Sequence, residues 1–203
     1  MMKQADKRKD WIGDSNSVFK TLGASNHIER PRGEQDYYAT QPKAVELLLE
    51  QEEFAPDIWE CASGEGAIAK VLQAHGHNVR QSDIVVRTPE TEERDFLDMD
   101  IEDWHGDIIT NPPYRYAQEF CERALQSVRP GRKVAMFLRL LFLEGKARRV
   151  LFEAYPPKVV YVASGRLKCV LNGVDDMGGS AVAYAWFVWE KGYNGETIIK
   201  WIN

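Results

Sequence analysis

The sequence is poor in the features that mark secreted, membrane and zinc-binding proteins. Cysteine is scarce: Cys61, Cys121 and Cys169 are far apart and odd in number. That excludes a disulfide framework and a thiolate zinc spacing. Histidine is equally sparse, and none of His27, His75, His77 and His105 has a partner at metal-ligand spacing, so no metal site is expected. His75 and His77, two apart, are read as the end of a helix. No apolar run approaches the roughly 20 residues that span a bilayer. The first ten residues, Met-Met-Lys-Gln-Ala-Asp-Lys-Arg-Lys-Asp, carry bases but no apolar stretch, unlike a secretory signal. A cytoplasmic protein with no membrane partner is expected.

What remains is a globular chain of 203 residues with 44% hydrophobic content and a mean hydropathy of −0.44, enough for one domain with a sizeable core. The net charge of −5, spread evenly, argues against a strong nucleic-acid binder. It is not spread evenly. Residues 82–107 hold ten acids and two bases, a net of −8. Residues 111–170 hold twelve bases and four acids, a net of +8. The asymmetry fits a basic face for phosphates, and equally a scattered solvated surface.

Three stretches carry chemistry. Asp107-Ile108-Ile109-Thr110-Asn111-Pro112-Pro113-Tyr114 reads as a buried strand stopped by two prolines that cannot donate to a sheet. Asn111 and Tyr114 then sit on a rigid turn at the carboxyl edge of the sheet, where open α/β folds bind ligands. Acceptors from Asn111 and from the Pro112 carbonyl, beside the ring of Tyr114, suit an amino group on a flat base, or a primary amide. The second stretch, Ile58-Trp59-Glu60-Cys61-Ala62-Ser63-Gly64-Glu65-Gly66, reads as a strand and a glycine turn opening a helix. Gly64-x-Gly66-x-x-Ala69 is also compatible with a dinucleotide fingerprint, but Glu60 just before the turn suits a cationic amino-acid ligand and repels a pyrophosphate. Asp83, 17 residues after Gly66, closes a second strand near the spacing expected of a ribose-binding acid. The third stretch is Tyr37-Tyr38-Ala39-Thr40-Gln41-Pro42, the start of a helix whose exposed N–H groups suit a carboxylate. Strands alternating with helical patterns make the class α/β, and a glycine-rich loop from Arg166 to Ser180 is long enough to suggest a function.

The segment Asp-Ile-Ile-Thr-Asn-Pro-Pro-Tyr resembles the catalytic motif of S-adenosylmethionine-dependent amino-methyltransferases, above all the N6-adenine DNA enzymes. Glu60 to Gly66 is similar to that family's glycine motif, with Cys61 where proline is usual. Tyr38 and Thr40 match its aromatic-x-Thr-Pro helix entrance with one residue inserted. Arg94-Asp95-Phe96-Leu97 resembles its Asp-Phe-Leu segment. The resemblance implies a Rossmann-like class I methyltransferase fold, a seven-stranded, mostly parallel sheet with the last strand antiparallel. It covers Tyr37 to about Trp189, so residues 37–203 form the domain and residues 1–36 an arm. It implies S-adenosyl-L-methionine as cofactor, held by Tyr38, Thr40, Glu60, Cys61, Ala62, Gly64, Asp83, Ile84, Asp95, Phe96 and Asn111. Asn111, Pro112 and Tyr114 are the implied catalytic residues, and Tyr114, Arg115 and Arg166 the substrate contacts. DNA is the implied partner, and compact relatives of this type often belong to phages or prophages. Two readings stay open beside it: a methyltransferase acting on RNA or a protein glutamine, and a nucleotide-binding module without catalysis.

Overall fold

The computed structural model describes residues 38–98, 100–101, 103–165, 167, 169–171 and 182–203, with the backbone alone for Tyr38 and 169–171. The expected arm (1–36), Arg166 and most of the loop up to Ser180 lie outside the described residues.

In chain order the elements are β1 (Tyr38–Thr40), α1 (Pro42–Leu49), β2 (Asp57–Glu60), α2 (Ala67–Ala74), β3 (Asn78–Asp83), β4 (Thr91–Glu93) and β5 (Asp107–Thr110). Then come α3 (Ala117–Ser127), β6 (Lys133–Arg139), α4 (Lys146–Ala154), β7 (Val159–Ala163), β8 (Cys169–Leu171), β9 (Tyr184–Glu190) and β10 (Ile198–Ile202). Pro42 opens α1, where its missing N–H costs nothing, and His75 caps the end of α2. Two 3-10 turns, Tyr114–Tyr116 and Leu140–Leu143, follow β5 and β6.

Eight strands form one sheet in the order β10-β7-β9-β6-β5-β2-β3-β4, and β1 pairs with β8 in a two-stranded antiparallel sheet. Within the large sheet β9 alone runs antiparallel, between β6 and β7. The seven expected strands are therefore present, and β10 adds an eighth, parallel to β7 at the edge. The antiparallel strand is thus the last but one. Strand β10 lies beyond Trp189, where the resemblance ends, and four of its five residues are exposed.

The central strands are buried on both faces and alternate strictly. Trp59, Ile108, Val134, Met136, Leu138 and Phe187 face α3 and α4, whereas Ile58, Ile109, Ala135, Phe137 and Trp186 face α1 and α2. Each such side chain contributes roughly 1.5–3 kcal/mol by leaving water. The start of β5 is fixed separately, since buried Asp107 accepts from the N–H groups of Ala55 (2.6 Å) and Lys133 (2.8 Å). No described helix is long and apolar enough to cross a membrane.

Candidate active site

Strand order reverses at β2. Its successor β3 lies on one side and β5 on the other, which opens a crevice at the carboxyl ends of β2 and β5. The register pairs Trp59 with Ile108; Glu60 closes β2 one residue later, and Thr110 closes β5 two residues later. The glycine turn and the Asn-Pro-Pro-Tyr turn therefore leave adjacent strands at the same edge, roughly 4.8 Å apart.

Glu60 is 2% exposed. Its Oε2 accepts from the N–H of Ala69 at 2.8 Å, in the first turn of α2. That helix has no capping side chain of its own, because its N-cap is Gly66. The carboxylate thus ties the strand to the helix and satisfies an orphan donor. Burial pushes the Glu60 carboxyl well above the usual range; the bond from Ala69 opposes this and the nearby Asp83 charge adds to it. Gly64 and Gly66 have φ of 55° and 72°, the left-handed region that glycine enters without strain. A Cβ on Gly66 would stand 2.7 Å from Gln81 Oε1. Asp83 Oδ2 accepts from the N–H of Gly64 (2.9 Å), and Oδ1 from the N–H of Val85 (3.0 Å) and from Arg87 (3.4 Å). A carboxylate has about four acceptor positions, so Asp83 secures the turn and retains capacity for a hydroxyl.

Thr40 joins the two halves. It is buried, and its Oγ1 accepts from Asn111 Nδ2 at 3.0 Å across 71 positions of sequence. With Nδ2 engaged, Oδ1 is the acceptor end of the amide. Pro112 is buried and Pro113 exposed. Tyr114 is half-buried; its ring lies 5.8 Å from Tyr184 and 4.6 Å from the Arg139 guanidinium. A groove of about 560 Å3 lies beside it, lined by Tyr114, Arg115 and residues of the turn and helix after β6.

The other expected residues divide. Ile84 is exposed just beyond Asp83, Ala62 is half-buried, and Cys61 is buried with its thiol pushed up by burial, which leaves it inert. Asp95 is exposed on the loop after β4 and accepts from the N–H of Leu97 at 2.9 Å. Phe96 is a core residue, 5.2 Å from Trp59 and 5.1 Å from Phe120. Tyr38 enters by its backbone, in β1. Among the described residues no cluster of His, Cys, Asp and Glu could hold a metal.

Sequence reasoning counted Arg139 only among the bases. It ends β6, three residues past the Thr110–Met136 pair, and its buried Nε–H has no hydrogen-bond partner among the described residues. The available signal was a charge closing an apolar strand next to the one that ends in the Asn-Pro-Pro-Tyr turn.

Neither protein-family models nor curated proteins match the sequence. Solved structures do. A Listeria monocytogenes protein described as a class I S-adenosylmethionine-dependent methyltransferase is 11% identical over 86% of this chain and 68% of its own, with a TM-score of 0.58. An Agrobacterium tumefaciens protein described as an O-methyltransferase is 14% identical over 78% and 85%, with a TM-score of 0.57. A modification subunit of a type I restriction enzyme from Vibrio vulnificus is 12% identical over 92% of this chain and half of its own length, with a TM-score of 0.56. At these identities the likeness is one of fold, and that fold is the Rossmann-like fold of the class I methyltransferases.

Proposed function

We propose that this protein transfers a methyl group from S-adenosyl-L-methionine to an exocyclic amine, the N6 of adenine in DNA. The observation that carries the reading is the Thr40–Asn111 bond. It fixes the amide of an Asn-Pro-Pro-Tyr turn in the crevice, one strand from the glycine turn.

The residues of the crevice fit the cofactor. Gly64 and Gly66, at positive φ, let the backbone approach a ligand at the end of β2. Glu60 would face the amino group of the methionine moiety, Asp83 the ribose and Asp95 the adenine ring. When bound, the cofactor supplies an electrophilic methyl on a sulfonium sulfur. Everything else falls to the protein. An aromatic amine is a weak nucleophile because its lone pair is delocalised into the ring. Asn111 Oδ1 and the Pro112 carbonyl accept its two N–H bonds and hold the lone pair in one direction. The same two dipoles stabilise positive charge as it develops on nitrogen, without reorganising. The electron pair of the broken S–C bond would stay on sulfur, and the methylated amine sheds one N–H proton to solvent. Tyr114, backed by Arg139, offers a face on which the base stacks, worth roughly 1–3 kcal/mol. An adenine inside a duplex must first turn out of the stack, at a cost of roughly a few kcal/mol.

Labelled S-adenosylmethionine offered with duplex DNA, RNA and protein in parallel tests this. N6-methyladenine in the DNA hydrolysate is the expected product. Label in RNA or on a protein glutamine, with none in DNA, would leave the cofactor reading intact and sink the DNA assignment; no transfer to any of them would favour a binding module.

A further inference from the structure

The groove beside Tyr114 displays a side chain that the core does not explain. Leu141 lines it and is 70% exposed, whereas its neighbour Phe142 is buried against Phe152 and Phe187. The turn that carries Leu141 is not slack. Arg148 Nη1 donates to the carbonyls of Leu141 (3.1 Å) and Glu144 (2.7 Å), and its guanidinium lies 4.9 Å from the Phe142 ring. A guanidinium is thus committed to fixing a backbone whose product is an apolar side chain held in water next to the candidate site.

We propose that Leu141 is a wedge for duplex nucleic acid, entering the base stack where the target base leaves it. The proposal rests on the reading of Asn111 and Tyr114 as the site that receives that base. A protruding, rigid, apolar side chain needs a cavity in its partner, and a duplex with one base turned out supplies one. Apolar wedges that slip between base steps are a general device of duplex-bending proteins. The groove's charge agrees with a polyanion, since Arg115, Lys146 and Arg148 line it against Glu119 and Glu144. A polypeptide partner would more naturally place its own apolar side chain into a concave pocket.

The test compares the full-length protein with Leu141→Ala on one adenine site in three forms: matched duplex, single strand, and duplex with an abasic position opposite the target. The variant should lower the ratio of duplex to single-strand kcat/KM about tenfold or more. The abasic duplex, already unstacked, should restore most of that loss. A matched duplex carrying 2-aminopurine at the target should brighten with the parent protein and much less with the variant. An unchanged ratio, or an equal loss on all three substrates, overturns the wedge while leaving the active-site reading in place. If the parent protein methylates none of the three, the active-site reading fails and the wedge fails with it.

Discussion

At the scale of single residues, the bond between Thr40 and Asn111 offers a test of the proposed chemistry. On the proposed mechanism Asn111→Ala removes an acceptor that matters most as charge develops, so turnover should fall by about 10²-fold or more, well beyond any loss of S-adenosylmethionine affinity. Thr40→Val keeps the shape of the side chain but removes the hydroxyl that accepts from Asn111 Nδ2. Turnover should fall here too, with stability lowered by roughly 0.5–1.5 kcal/mol, the net worth of one hydrogen bond. Single-turnover kinetics and thermal melts read the two effects, and near-normal turnover in both variants would mean the turn is only a strand stop. Glu60 makes a second prediction, in pH. Its pKa is raised in the fold, so its contribution to stability is fully present below the unfolded pKa and is lost as pH rises toward the folded one. A ligand ammonium beside it favours the carboxylate, so binding should expel a proton and affinity should rise with pH. Calorimetry should show that slope below about pH 7, before an α-amino group begins to lose its proton near 7.7–8.0. Glu60→Gln keeps an acceptor for the Ala69 N–H but removes the charge, and should flatten the slope; a wild-type slope in the variant would place the ammonium elsewhere.

At the scale of elements, the glycine turn shows what one Cβ would do. Gly66→Ala combines a left-handed backbone, costing roughly 1–2 kcal/mol, with a Cβ 2.7 Å from Gln81 Oε1, and Gln81 is itself buried. Gly131, at φ 80°, has nothing within 4 Å of its Cβ position, so Gly131→Ala carries the backbone cost alone. Denaturant melts should show Gly66→Ala as the more destabilising, and it alone should weaken cofactor binding. Equal effects on both measures would argue that the turn has no ligand to cradle. These turns were legible because each is punctuated: an apolar run, then glycines or prolines, then a helical stripe. The elements that escaped the sequence owe their existence to distant partners. Strand β10 is exposed along four of five residues and exists by pairing with β7. Strand β1, three residues long, pairs with β8 across more than a hundred positions. Phe96, which the resemblance counts among the cofactor residues, is packed in the core by Trp59 and Phe120, brought in by two other elements, and no local pattern foretells those contacts.

At the scale of the molecule, the sheet order carries part of the charge pattern in the sequence into space. Of the acids in residues 82–107, Asp83, Glu92 and Glu93 lie on β3 and β4, on one side of the crevice, while Asp103 pairs with Arg129. Of the bases in residues 111–170, Lys133 and Arg139 lie on β6, on the other side. Several of those bases are committed within the fold. Arg149 meets Glu153 at 2.6 Å, Lys158 meets Glu190 at 2.7 Å, and Arg148 holds the turn after β6. Arg115 and Lys146 line the groove and are the better candidates for phosphates. With about two phosphates neutralised, the slope of log affinity against log salt should be about −1.8, so a fourfold rise in salt should weaken duplex binding about 12-fold. Arg115→Ala and Lys146→Ala should each flatten the slope by about one, whatever the DNA sequence. Arg149→Ala, which breaks a surface pair with Glu153, should not. S-adenosylmethionine affinity across the same salt series separates a phosphate effect from a change in the fold: it should stay constant. If DNA affinity is insensitive to salt, or responds to Arg149 as strongly as to Arg115, the basic half of the sheet is a solvated surface and the polyanion meets the molecule elsewhere.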